Sequence, residues 1–237
     1  MFLQRKKTTA MQRLLHHVRC GYIYHFSGTV KPKSLLDLIE KFSKLYKIDL
    51  NVNQRYYRKS KGKANVFFTC YPVQINGNNV FVWFLLATEG KGKIHELEKL
   101  KNVNIKSERL SWLSEYELVK LSKKESKPAF TWQMTSQNLN GWIERIRYAV
   151  AEKNNNSLMK QAIWSLKRTP GFRGNRIHVK KLFNQLKGDV KRIKSKSFLL
   201  DNEVLRNGFV RSMKNDFIDI ELAINNINRN KKFDLNL

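Results

Sequence analysis

The sequence predicts an α+β protein. A mixed α/β sheet domain is expected over residues 1–127. A basic, all-helical domain with a helix-turn-helix-like segment is expected over 128–237. Three observations predict this. Residues 66–88 are uncharged and hold two β-rich runs separated by Asn76-Gly77-Asn78-Asn79, which is turn chemistry between strands. Beyond Ser126-Lys127-Pro128 the apolar residues recur every three or four positions, the period of an amphipathic helix. Charge follows the same division, because residues 153–200 carry thirteen Lys or Arg and one acid, Asp189.

Residues 1–34 hold seven basic residues and no acid and read as a basic arm. Tyr22–Val30 alternates loosely, as a strand does. Ser34 is placed to cap a helix, with Asp37 three residues on as its capping-box partner. Leu35, Leu38, Ile39, Phe42, Leu45 and Tyr46 form the apolar face of that helix. Ile48–Val52 reads as a short strand and Asn65–Tyr71 as another. Val80–Ala87 (VFVWFLLA) is continuously apolar and β-rich, which suits a sheet centre covered on both faces. A short helix over Ile94–Lys101 and a strand over Glu117–Leu121 complete this half.

The second half reads as four helices. Leu139, Trp142, Ile143, Ile146, Ala149 and Val150 share the first face. Asn154-Asn155-Asn156 ends that helix, and Ser157 can cap the next, with Leu158, Met159, Ala162, Ile163 and Leu166 as its stripe. Thr169-Pro170-Gly171-Phe172-Arg173-Gly174 makes a turn. Val179, Leu182, Phe183, Leu186, Val190 and Ile193 define the third stripe, with Gly188 as a candidate early stop. A last helix is expected from Asn202 to Asn228. Its Val210, Met213, Phe217, Ile220, Ile224 and Ile227 fall at heptad positions, so a homodimer through 210–227 is the alternative to packing on its own domain.

Composition narrows the function. Hydrophobic residues make up 41 % of the 237 and aromatics 11 %, enough for a packed core and against wholesale disorder. Cys20 and Cys70 stand outside any C-x-x-C pair, which fits a reducing, cytoplasmic setting. Pro72 and the Asn-Gly cluster break the longest uncharged stretch, so it does not read as a membrane span. Arg13, His16 and His17 interrupt the apolar core that a secretory signal needs. With 46 basic and 19 acidic residues the formal net charge is +27. A polyanion is therefore the expected partner: nucleic acid, with DNA favoured over RNA and no membrane.

The stripe of the helix after the turn leaves Lys180, Lys181, Asn184, Gln185, Lys187 and Lys191 on its other sides. The lysines can neutralise phosphate, and Asn184 and Gln185 can read an adenine edge. Arg173 and Arg176 flank the helix start, where free N–H groups favour an anion. This is the layout of a helix-turn-helix reader. Between two expected strands, Arg55, Tyr56, Tyr57, Arg58 and Lys59 interleave rings with cations, which suits stacking on unpaired bases. Gly90-Lys91-Gly92-Lys93 could present backbone N–H groups to a phosphate, but it lacks P-loop spacing.

No H-E-x-x-H, G-x-S-x-G or paired C-x-x-C is present. Glu89-Gly90-Lys91 leaves the central strand, and the expected order around it is helix, three strands, helix. This resembles the core of the PD-(D/E)xK nuclease fold. The resemblance implies a Mg²⁺ held by Glu89 and by an acid on the preceding strand, with Lys91 assisting the attacking water. That strand, Asn65–Tyr71, carries no acid, and Glu40 and Asp49 stand upstream of it. The primary expectation is a DNA-binding protein without a cofactor, serving plasmid or mobile-element replication, transfer or transcriptional control. A Mg²⁺ nuclease and an RNA-binding or ribosome-associated protein are the alternatives.

Overall fold

A computed structural model describes residues 2–123, 126–152, 156–192, 205–210 and 217–229. They form a mixed α/β architecture in which every sheet is antiparallel. Two compact units are present among them. One runs to Leu110 and takes back 217–229, and the other begins at Ser111 and includes 205–210.

In the first unit, β1 (Phe2–Gln4) leads into α1 (Lys7–Arg19). The expected basic arm is therefore folded. Met11, Leu14, Leu15 and Val18 recur at helical spacing and are buried, and that stripe outweighs the cations around it. After β2 (Tyr24–Val30), a 3₁₀ turn over Pro32–Ser34 feeds α2 (Leu35–Tyr46). Ser34 makes no side-chain cap there, so the expected capping box with Asp37 does not form. Lys47 ends the helix in the left-handed region, at φ 56°.

The strand expected at Ile48–Val52 is instead the approach to α3 (Val52–Ser60). The reason is local. Asn51 accepts from the Gln54 N–H, and the Gln54 side chain accepts from the Asn51 N–H. That reciprocal capping box starts a helix. β3 (Val66–Ile75) and β4 (Asn78–Ala87) then form a hairpin. The helix expected over Ile94–Lys101 is only α4 (Lys93–Leu97), because Lys101–Asn102 pairs with β2 as β5.

The sheet order is β3-β4-β2-β5, so β4 is internal, and Phe81–Ala87 are buried without a break. One face, with Phe81, Trp83, Leu85 and Ala87, joins Phe42 and Tyr46 of α2 in a single core. On the other, His17 of α1 stacks on Phe67 with ring centroids 3.5 Å apart. Cover on both faces is what permits an unbroken apolar strand.

The chain returns to this unit as β9 (Phe217–Asp219), paired with β1, and α8 (Ile220–Asn228), capped by Asp219. The long helix expected from Asn202 is therefore not continuous: residues 205–210 are not helical, 217–219 form a strand, and the helix covers Ile220–Asn228. Ile220, Ile224 and Ile227 are buried in the core of their own unit, so the seam assigned to a homodimer is filled within the chain. Val210 lies outside any helix, and Met213 lies outside the described residues.

The second unit is not all-helical. It opens with a sheet of order β6-β7-β8: β6 (Ser111–Trp112), β7 (Tyr116–Lys123) and β8 (Ser126–Met134). The boundary expected at 127 falls inside the β7–β8 pairing, where Leu121 faces Ala129 and Lys123 faces Ser126 around a bulge. Pro128 looked like a breaker in sequence, but an edge strand tolerates it. α5 (Ser136–Ala151), α6 (Asn156–Lys167) and α7 (Arg173–Arg192) follow. Trp112, Trp132, Leu118 and Met134 from the sheet are buried, as are Ile146, Met159, Ile163, Leu182 and Leu186 from the helices. Gly188 does not stop α7, which continues to Arg192. Ile193 lies outside the described residues. No helix among the described residues is long and apolar enough to cross a membrane.

Candidate nucleic-acid interface

α7 is twenty residues long, about 30 Å at 1.5 Å per residue. Its stripe of Val179, Leu182, Phe183, Leu186 and Val190 is buried. Opposite that stripe, Lys180, Lys181, Asn184, Lys187 and Lys191 are all exposed, while Gln185 is half-buried. The helical period alone puts Lys180, Asn184, Lys187 and Lys191 in one row. The one acid on α7, Asp189, pairs with Arg192 at 3.4 Å and leaves that row uncompensated.

The start of α7 is organised differently from the sequence expectation. The Gly174 N–H donates to the Thr131 hydroxyl (3.2 Å), and a Cβ at Gly174 would stand 2.7 Å from the Trp132 carbonyl oxygen. The helix N-terminus is therefore packed on β8, and the Gly174 N–H is engaged there. Arg173 donates to the Ser122 carbonyl oxygen (2.6 Å), and the Arg176 guanidinium lies 3.8 Å over the Phe209 ring. Both arginines serve the fold. The turn before α7 is also covered. Asn207 donates to the Thr169 hydroxyl, the Val210 N–H donates to the Gly171 carbonyl, and Gly208 sits so close that a Cβ at Gly171 would lie 2.0 Å from its oxygen.

In the first unit, the expected basic loop is the helix α3, which buries no side chain. A nine-residue helix is marginal by itself. It is held by the Asn51 box and by its arginines. Arg55 donates to the Leu50 carbonyl (2.9 Å) and the Ile48 carbonyl (3.0 Å), and Arg58 donates to the Ala64 carbonyl (2.8 Å). Arg55 is therefore a structural clamp. Tyr56 and Tyr57 stand 78 % and 64 % exposed, and Lys59 is exposed beside them.

Two hollows meet at Arg58. One, of about 770 Å³, is lined by Tyr57, Asn53, Gln54 and Lys61 together with Lys47, Arg58 and Lys63. The other, of about 550 Å³, shares those last three and adds Lys44, Lys91 and Lys93. Its one lining acid is Glu96, and Lys44 pairs with Glu40. The backbone carrying these cations is laced together. The Lys91 N–H donates to the Gly62 carbonyl (2.9 Å), the Ala64 N–H to the Lys91 carbonyl (3.0 Å), and the Lys63 N–H to the Arg58 carbonyl (3.0 Å). Sequence reasoning flagged Arg58, Tyr57 and the Gly90–Lys93 turn separately. Lys63 closes the same basic run as Arg58 in the sequence, whereas Lys44 and Lys47 were missed, because only the fold brings them beside it.

The Glu89-Gly90-Lys91 segment has a structural explanation. Gly90 sits at φ 121°, and a Cβ there would lie 2.8 Å from backbone atoms of residues 62–64. Glu89 is exposed, and no group of three metal-ligating side chains exists among the described residues. The strand order departs from the nuclease resemblance as well. Two helices, α2 and α3, separate β2 from the β3–β4 hairpin, so three consecutive strands do not precede Glu89.

No protein-family model, curated protein or solved structure matches the chain.

Proposed function

We propose that the protein binds nucleic acid, duplex DNA foremost, by laying the exposed row of α7 along the phosphate backbone. The observation that supports this is the row itself: Lys180, Lys187 and Lys191 around Asn184, on the side of the helix opposite its buried stripe. Lys181 widens it. Asn184, exposed at the middle of the row, is the residue positioned to read a base edge. Docking takes place beyond the first turn of α7, because Arg173, Arg176 and the preceding turn are engaged within the chain. In this reading the α6–turn–α7 segment works as a helix-turn-helix-like module whose contacts come from the middle and end of its second helix.

The test is a duplex titration at two salt concentrations. Four lysines on four phosphates give a salt slope near −0.9 per phosphate, so affinity should fall on the order of 10²-fold between 50 and 200 mM salt. The Lys180→Gln, Lys187→Gln double variant should flatten the slope by about 2. A complex insensitive to salt, or a double variant with an unchanged slope, overturns the proposal.

A further inference from the structure

We infer that the first unit holds a second nucleic-acid site, for a single strand, in which an unpaired base stacks on Tyr57 while the flanking phosphates lie among Lys47, Arg58, Lys63, Lys91 and Lys93. This site stands independently of α7.

The electrostatics come first. Lys47 sits at the end of α2, Arg58 on α3, Lys63 before β3, and Lys91 and Lys93 at the β4–α4 turn. Separate elements thus converge on one hollow. Among the described residues, no carboxylate or carbonyl engages the amino groups of Lys47, Lys63, Lys91 or Lys93. Clustered like charges oppose folding, and here Glu96 is the one lining acid set against them. A bound polyanion removes that repulsion. A single phosphate would neutralise only part of it, whereas successive phosphates of a strand can offset several of these cations.

The scaffold is also prepared for a ligand. Arg58 is tied to Ala64 through Nη2, while its Nε–H is buried with no partner. Lys47 adopts a left-handed conformation that glycine would adopt at lower cost. Lys47 lines both hollows from this costlier backbone position.

The aromatic wall decides what kind of strand fits. Tyr57 lines the larger hollow and is exposed, with only the Lys61 ammonium 5.7 Å above its ring. Asn53 and Gln54 also line this hollow, and amide side chains can hydrogen-bond a base edge. A duplex keeps its bases stacked inside and gives Tyr57 nothing to cover, but an unpaired base presents a full face.

The experiment measures binding of the full chain to a labelled dT 12-mer, an abasic 12-mer with the same phosphates, a U 12-mer and a DNA duplex. Inorganic phosphate and phosphatidylserine vesicles serve as competitors. The dT strand should bind about tenfold tighter than the abasic one. Tyr57→Leu should erase that difference and leave duplex binding unchanged. The Lys63→Gln, Lys91→Gln double variant should weaken both strands and flatten the salt slope by about 1.4, the single-strand value for two phosphates. Comparing the U and dT strands identifies RNA or DNA as the source. The inference falls if dT and abasic strands bind wild type equally, if neither variant changes strand binding at an unaltered melting temperature, or if vesicles displace the strand. Loss of duplex binding in wild type, with the Tyr57 effect intact, would sink the α7 proposal alone.

Discussion

Gly28 and Trp83 face one another across the β2–β4 ladder, and the indole occupies the space above the glycine. A Cβ on Gly28 would stand 2.7 Å from Trp83 Cζ2. The same indole packs edge-on against Phe26 and Phe42, at 5.4 Å from each ring centroid. One missing methyl group therefore lets the largest side chain of the central strand lie flat on its neighbour.

Gly28→Ala should destabilise the first unit by about 1–3 kcal/mol, the usual range for overpacking a closed core. Chemical denaturation reads it directly. An unchanged midpoint would mean that the indole has another rotamer available.

Stability should fall on acidification. His17 is held neutral with its pKa pushed down to about 4 from 6.5, first by burial, with repulsion from the nearby Arg13 and Arg55 adding to it, against the opposing hydrogen bond to the Arg13 carbonyl. The unfolded chain takes up this proton more readily than the folded one. Full stability is therefore present above pH 6.5 and is lost progressively as pH falls to about 4, by up to about 3 kcal/mol. His25, also buried, shifts in the same direction. His17→Phe should flatten the pH dependence across that window, as measured by urea unfolding at several pH values.

Lys47→Gly should separate stability from binding. Glycine relieves the left-handed backbone, so the melting temperature should hold or rise, by up to about 1 kcal/mol of stability. Binding of the dT 12-mer should weaken severalfold. Tighter binding in this variant would remove Lys47 from the site.

The Glu89-Gly90-Lys91 segment allows a direct contrast between structural and catalytic roles. Gly90→Ala should be strongly destabilising, because its Cβ meets backbone on residues 62–64 and its φ is 121°. Glu89→Gln, at an exposed position, should change stability by less than about 0.5 kcal/mol. In Mg²⁺ the expected outcome is intact DNA for the wild type and for this variant alike. Mg²⁺-dependent cleavage abolished by Glu89→Gln would restore the nuclease alternative.

Long periodic segments were legible in the sequence. Val80–Ala87 announces an internal strand because nothing polar interrupts it, and the stripes of α2, α5, α6 and α7 announce their buried faces. Short and amphiphilic segments were misread for specific reasons. Residues 1–34 were judged by charge, and the stripe Met11, Leu14, Leu15, Val18 was overlooked. Residues 48–52 read as a short strand, and the Asn51–Gln54 box overrides that reading by starting a helix. Phe217–Asp219 carried a heptad pattern, yet the open edge of β1 captured it as a strand. Of the candidate site, the exposed row on α7 could be read from helical period alone. The engagement of Arg173 and Arg176 could not, since their partners Ser122 and Phe209 lie 51 and 33 positions away.

The sequence by itself determined the sign and amount of charge, the mixed α/β class and the cationic row of α7. These depend on composition and on contacts a few residues apart. Only the tertiary structure decided which cations from separate elements lie around one hollow. Lys47, Arg58, Lys63 and Lys91 span more than forty positions of the chain. They meet because the backbone bonds between Gly62, Ala64 and Lys91 close that loop. Side-chain periodicity records the face a residue presents along its own element, and it carries no record of which other element folds back to meet it.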